Sequence, residues 1–115
     1  MSWVLLHNSG CSKSREALES LKSVEGLQVR KYLDNPLKEA ELRELIGKLD
    51  TPVSSLVRTK ELLFLEAPFD VNDIEAVIQN LSRNPKLMER PILIGNGKAT
   101  IGRPLEKITS LLRGK

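Results

Sequence analysis

Trp3-Val4-Leu5-Leu6-His7-Asn8-Ser9-Gly10-Cys11-Ser12-Lys13-Ser14, residues 3–14, passes from apolar to turn-forming to helix-starting residues without a break. Trp3 to Leu6 is a short continuous apolar run of the kind that a buried strand shows. His7 to Gly10 is polar and turn-forming, so the strand is expected to stop there. After Cys11, Ser12 can cap a helix whose apolar face carries Ala17, Leu18 and Leu21, which predicts a helix from Ser12 to about Ser23. Gly26 ends it. Leu27, Val29 and Lys31 then alternate with Gln28, Arg30 and Tyr32, the period of a second strand, and Asp34-Asn35-Pro36 breaks that strand. The opening is therefore a β-α-β unit with Cys11 at its first strand-to-helix turn.

Downstream, Leu42, Leu45, Ile46 and Leu49 mark one face of a second helix whose other face is charged. Thr51-Pro52 reads as the start of another helix, running through Leu56-Val57-Arg58, because a hydroxyl cap followed by proline suits a helix amino terminus. Residues 59–70 give no clear period, and Pro68 argues against one continuous helix there. Ile74, Val77, Ile78 and Leu81 recur at helical spacing until Asn84-Pro85. Ile92-Leu93-Ile94 and Ala99-Thr100-Ile101, joined by Gly95-Asn96-Gly97-Lys98, predict an antiparallel hairpin, since Asn-Gly tolerates positive φ. Leu105, Ile108, Leu111 and Leu112 predict a last helix opening at Pro104.

A β-α-β half, a helical insertion and a β-β-α half make the thioredoxin-like arrangement. The expected fold is α/β, a four-stranded mixed sheet with flanking helices, and the expected domain is a single one over residues 1–115. The composition is that of an ordinary globular chain, with 40% hydrophobic and 29% charged residues. The net charge of +3 is spread without a basic block, and aromatics are only 3%, which leaves few side chains for stacking bases. Nucleic acid is not an expected partner. The amino terminus has no basic residue before its short apolar run and no segment long enough for a membrane span, so neither a membrane nor export is expected, and the expected location is cytoplasmic.

The chain holds one cysteine and one histidine, and both lie in the opening stretch. One cysteine closes no internal disulfide, and a reducing compartment keeps it a thiol. Zinc needs three or four ligands, usually Cys or His, so no metal is expected. A lone cysteine is more often a small buried apolar residue than a nucleophile. Here, however, Ser-Gly precedes it and Ser-Lys-Ser-Arg follows, which does not suit a packed core. The free N–H groups of the helix start, the cations Lys13 and Arg15, and His7 could each lower the thiol pKa from about 8.5 toward the reactive range. The same turn collects anions: Ser12, Lys13 and Ser14 would aim N–H groups and hydroxyls at a tetrahedral oxyanion beside the sulfur. Ser14 stands where a Cys-x-x-Cys oxidoreductase carries its resolving cysteine, so any turnover needs an outside thiol.

His7-Asn8-x-x-Cys11-Ser-Lys-Ser-Arg15, Leu56-Val-Arg58-Thr-Lys, Glu89-Arg90-Pro91-Ile-Leu-Ile and Ile101-Gly-Arg103-Pro-Leu-Glu resemble, in order and spacing, the glutaredoxin-dependent arsenate reductase family. The likeness covers essentially the whole chain and implies the same thioredoxin-like fold with a helical insertion. It implies Cys11 as the nucleophile toward arsenate, His7 as an aid to its ionisation, and Arg58, Arg90 and Arg103 as the holders of the oxyanion. It implies glutathione as co-substrate and glutaredoxin as the protein that resolves the mixed disulfide, with no bound cofactor. Guanidinium forks suit the work because they stay charged and pair with oxyanions through two hydrogen bonds. By the same resemblance Arg90-Pro91 would be cis. The chain departs from the family in Ser9-Gly10, where proline often follows His-Asn. Two other readings stay open: thiol-dependent reduction of a different glutathione-linked substrate, and a protein-binding redox regulator of the same fold.

Overall fold

Strand β1 (Trp3–His7) lies between two partners, parallel to β2 (Leu27–Lys31) on one side and antiparallel to β3 (Ile92–Gly95) on the other. Strand β4 (Lys98–Ile101) adds antiparallel to β3, giving the order β2-β1-β3-β4. The computed structural model describes residues 2–112, so positions 1 and 113–115 of the expected domain lie outside the described residues. The four-stranded mixed sheet with flanking helices is the arrangement expected from the sequence. Helix α1 (Ser12–Leu21) supplies the crossover between the parallel strands β1 and β2.

Side chains alternate across the sheet, and each face has its own core. Trp3, Leu5 and Leu93 pack with Ala17 and Leu21 of α1 and with Ile108 and Leu111 of the last helix. Leu6, Ile92, Ala99 and Ile101 face the other way. They pack with Leu42 and Leu45 of α2 (Glu39–Lys48), with Leu56, and with Val77, Ile78 and Leu81 of α4 (Ile74–Arg83). Between α2 and α4 lies the short α3 (Leu62–Glu66), and α5 (Glu106–Leu112) ends the described chain. Among the described residues no helix is long and apolar enough to cross a membrane.

The turn between β3 and β4 has the expected chemistry: Asn96 and Gly97 both take positive φ, 55° and 75°, as a tight two-residue hairpin demands. Gly95 is required for space, since a Cβ there would come within 2.2 Å of the Trp3 ring.

Three helix boundaries differ from the sequence expectation. Cys11, not Ser12, is the cap residue of α1: its backbone is extended (φ −105°, ψ 125°) and its carbonyl accepts the first helical bond from Arg15 N at 3.0 Å. The segment after Thr51-Pro52 forms only a single 3-10 turn, Val53–Leu56. Val57 leaves it to bridge Met88, and Arg58 N donates to Leu87 O at 2.8 Å, so tertiary pairing draws the chain out straight. Pro104 precedes α5 by two residues and does not open it. The Pro104 and Leu105 carbonyls instead accept from Lys107 and Ile108 in a tight entry turn.

Candidate active site

The site is assembled from four loop segments at one end of the sheet. Cys11 follows β1, Arg58 follows the 3-10 turn, and Arg90 and Arg103 flank the β3–β4 hairpin. Backbone bonds lock the arginine-bearing segments together: Glu89 N to Leu56 O at 2.7 Å, Arg58 N to Leu87 O at 2.8 Å and Gly102 N to Pro91 O at 2.8 Å. The Arg90-Pro91 peptide is cis, and so is Arg103-Pro104.

The turn that carries the thiol is built by Asn8, whose side-chain Oδ1 accepts from Gly10 N at 2.9 Å while its carbonyl accepts from Cys11 N at 3.0 Å. Such Asx turns are what asparagine does well. Cys11 is 8% exposed. Burial by itself pushes its thiol pKa up, but the backbone N–H groups of Ser14 and Lys13 and the Arg90 guanidinium outweigh burial, and the thiol is held below its ordinary value. The helix start thus acts on the sulfur as it would on a capping oxygen. Arg103 Nη2 lies 3.8 Å from Sγ.

The cations expected to do this from within the opening stretch are engaged elsewhere. Lys13 Nζ is 3.9 Å from Glu16, and Arg15 Nη1 donates to Ser9 O at 2.9 Å. Lys13 acts on the thiol through its backbone, and the charge comes from Arg90, across the fold. His7 is buried at the end of β1 and its Nδ1 has no hydrogen-bond partner among the described residues. Burial, with Lys31 and Arg15, pushes its pKa down despite a backbone contact to Ser14. It is therefore a neutral imidazole near pH 7, and the groups that act most on Cys11 do not include it.

Ser12 and Ser14 also differ in placement. Ser12 is exposed on the first turn of α1. The Ser14 hydroxyl is fully buried and has no hydrogen-bond partner among the described residues, on the helix face of Ala17 and Leu21. Ser14 reaches the sulfur through its N–H, not its hydroxyl.

Arg58, Arg90 and Arg103 line one cleft of about 420 Å³ together with Val57, Thr59, Lys60, Glu61 and Glu89. Arg58 Nη1 donates to Lys86 O at 3.0 Å and stands 3.5 Å from Glu61. Arg103 Nε donates to Arg90 O at 2.9 Å, which fixes the guanidinium that reaches Cys11. The three arginines singled out in the sequence thus line one cleft, and Arg103 reaches from it to the thiol.

The ArsC family profile matches residues 6–111 of the chain, the span that holds every one of these residues. The chain belongs to the ArsC family. It is 43% identical over 113 residues to an uncharacterised protein YfgD of Escherichia coli, covering 94% of each chain. It is 40% identical to a protein of Neisseria meningitidis named arsenate reductase, covering 94% of this chain and 96% of that one. A solved structure of an arsenate reductase from Vibrio cholerae matches with a TM-score of 0.85 at 38% identity, covering 96% of this chain and 97% of that one. At 26% identity the chain is also similar to the global transcriptional regulator Spx of Streptococcus mutans, covering 90% of this chain and 76% of that one.

Two residues of this ArsC-family site were not singled out from the sequence. Glu89 Oε1 lies 3.2 Å from Arg90 Nη1 and 3.3 Å from Arg103 Nε. Its signal was adjacency to Arg90-Pro91. Tyr32, just past β2, has a fully buried hydroxyl with no hydrogen-bond partner among the described residues. Burial raises its pKa and outweighs the opposing charges of Arg90 and Arg58, so it stays a neutral phenol beside the site. The period of the strand grouped it with Gln28 and Arg30 and gave no signal of its burial or its chemistry.

Proposed function

We propose that the chain is an arsenate reductase that works with glutathione and glutaredoxin in a reducing, cytoplasmic compartment. The observation that carries this reading is the approach of Arg103 Nη2 to 3.8 Å from Cys11 Sγ at the edge of the cleft shared with Arg58 and Arg90. In it the arginines hold arsenate by paired, charge-assisted hydrogen bonds. Cys11 thiolate attacks arsenic; an S–As bond forms, one As–O bond breaks, and the oxygen leaves as water after taking up protons. Arsenic is still pentavalent in this adduct. A glutathione thiolate then attacks the Cys11 sulfur, the S–As electron pair passes to arsenic, and arsenite leaves as the glutathione–Cys11 disulfide forms. A glutaredoxin thiol exchanges with that disulfide and returns Cys11. Ser14 offers no second thiol, so the reducing equivalents come from outside the chain.

Steady-state arsenate reduction with glutathione and glutaredoxin tests this. Turnover is expected for the wild type, none for Cys11→Ser, and a loss of about 10²–10³-fold for Arg58→Ala, the scale of removing one oxyanion donor. Wild-type protein without arsenate turnover overturns the reading. If Cys11-dependent reduction of a glutathione mixed disulfide persists, the substrate is another glutathione-linked compound.

A second reading is a protein-binding regulator, favoured by the likeness to Spx and by the exposed Leu62 and Leu65 on one face of α3, next to the cleft. Ser14 in place of a second cysteine weighs against a dithiol switch.

A further inference from the structure

Glu89 is out of keeping with a cleft that merely collects anions. Its side chain is 22% exposed, it lines the same cleft as the three arginines, and its Oε1 meets Arg90 Nη1, Arg103 Nε and the Arg90 backbone N–H within 3.3 Å. A carboxylate here lowers the positive potential and offers no donor. A site selected only for tight anion binding is better without it.

A carboxylate does have one use toward a tetrahedral anion. It accepts a hydrogen bond from an anion that still carries a hydroxyl proton, and O–H···O⁻ bonds are among the short, strong ones. Near neutral pH, arsenate and inorganic phosphate each keep at least one hydroxyl proton, whereas sulfate keeps none. Against sulfate, Glu89 sets acceptor against acceptor in a partly buried site. Both the repulsion and the lost hydration then count against binding.

We propose that Glu89 is a specificity-determining residue whose carboxylate accepts a hydrogen bond from the hydroxyl of a protonated tetrahedral oxyanion and rejects anions that lack one. The proposal rests on the oxyanion reading of the cleft and narrows its ligands to hydroxyl-bearing oxyanions. Glu89 does not occupy every donor of the pair: Arg103 Nη2 points to Cys11 Sγ, 3.8 Å away, and Arg90 Nε is buried and, among the described residues, without a partner. The other carboxylate of the cleft, Glu61, faces only Arg58, at 3.5 Å, and lies apart from the pair next to Cys11. Glu89 is the one that touches both arginines acting at the thiol.

Calorimetric titration of the full chain with inorganic phosphate and with sulfate, near neutral pH, reads this directly. The wild type is expected to prefer phosphate by at least about tenfold, as sites built to bond a hydroxyl reject analogues without it. Glu89→Gln, which keeps the shape and supplies a donor, is expected to bring the ratio close to one, mainly by tightening sulfate. Thermal melting of both proteins establishes that the variant is folded. An unchanged ratio, or no phosphate binding by the wild type, overturns the role of Glu89. Phosphate preference in a protein that does not turn over arsenate keeps that role and removes arsenate as substrate. Arsenate turnover with an unchanged ratio does the reverse.

Discussion

Alkylation of Cys11 by iodoacetamide, followed against pH, reports its thiolate fraction, because only the thiolate reacts at an appreciable rate. Burial raises this thiol and the N–H groups of Ser14 and Lys13, with Arg90, more than reverse that. The rate is then expected to rise with pH through a midpoint below that of a free cysteine, about 8.5. Arg90→Ala is expected to move the midpoint upward while leaving the helix-start contribution in place. A wild-type midpoint at or above 8.5 contradicts this account of the thiol. Cys11 and its backbone partners were legible because they are local: turn, thiol and helix start are contiguous in sequence. Arg90 as the charge beside the sulfur was not, since no period or spacing encodes a contact between residues 11 and 90. The family resemblance implies an oxyanion role for Arg90, and in the structure its charge lowers the Cys11 thiol pKa.

At the scale of elements, the parts read correctly from sequence are those set by local chemistry. Asn96-Gly97 supplies the positive φ pair of the hairpin, and Val77, Ile78 and Leu81 give α4 its buried stripe. Asp73 caps α4, its side chain accepting from Glu75 N at 3.1 Å and Ala76 N at 3.5 Å. Asp73→Ala is therefore expected to cost about 1 kcal/mol, seen as a lower midpoint in urea with an unchanged slope. The cap of α1 moved by one residue, to Cys11; at the other two boundaries that differ, long-range pairing overrides a local preference. Thr51-Pro52 satisfies the signals of a helix start, yet the chain there yields to the Val57–Met88 bridge. That bridge carries Arg58 to the cleft. The same holds at Pro104, where the bond from Gly102 to Pro91 fixes the approach and holds Arg103 against Arg90. These failures fall at the arginine-bearing loops, where local preference gives way to the geometry of the site.

Over the whole molecule, the sheet order β2-β1-β3-β4 puts the end of β1, the start of β3 and the end of β4 side by side, so residues distant in sequence share one cleft. The central claim is that thiol and arginines form a single oxyanion-handling site. Arg58 tests it well, because it lines the cleft but is not one of the groups that set the Cys11 pKa. The measurement is the rate of Cys11 alkylation at fixed pH with rising arsenate, in wild type and Arg58→Ala. Without arsenate the two rates should agree. Arsenate should protect the wild type saturably, and Arg58→Ala should need about ten to a hundred times more, the cost of a lost hydrogen bond to a charged group. Absence of protection in the wild type, or equal protection in both proteins, would contradict the claim that Cys11 and the arginine cleft act as one site.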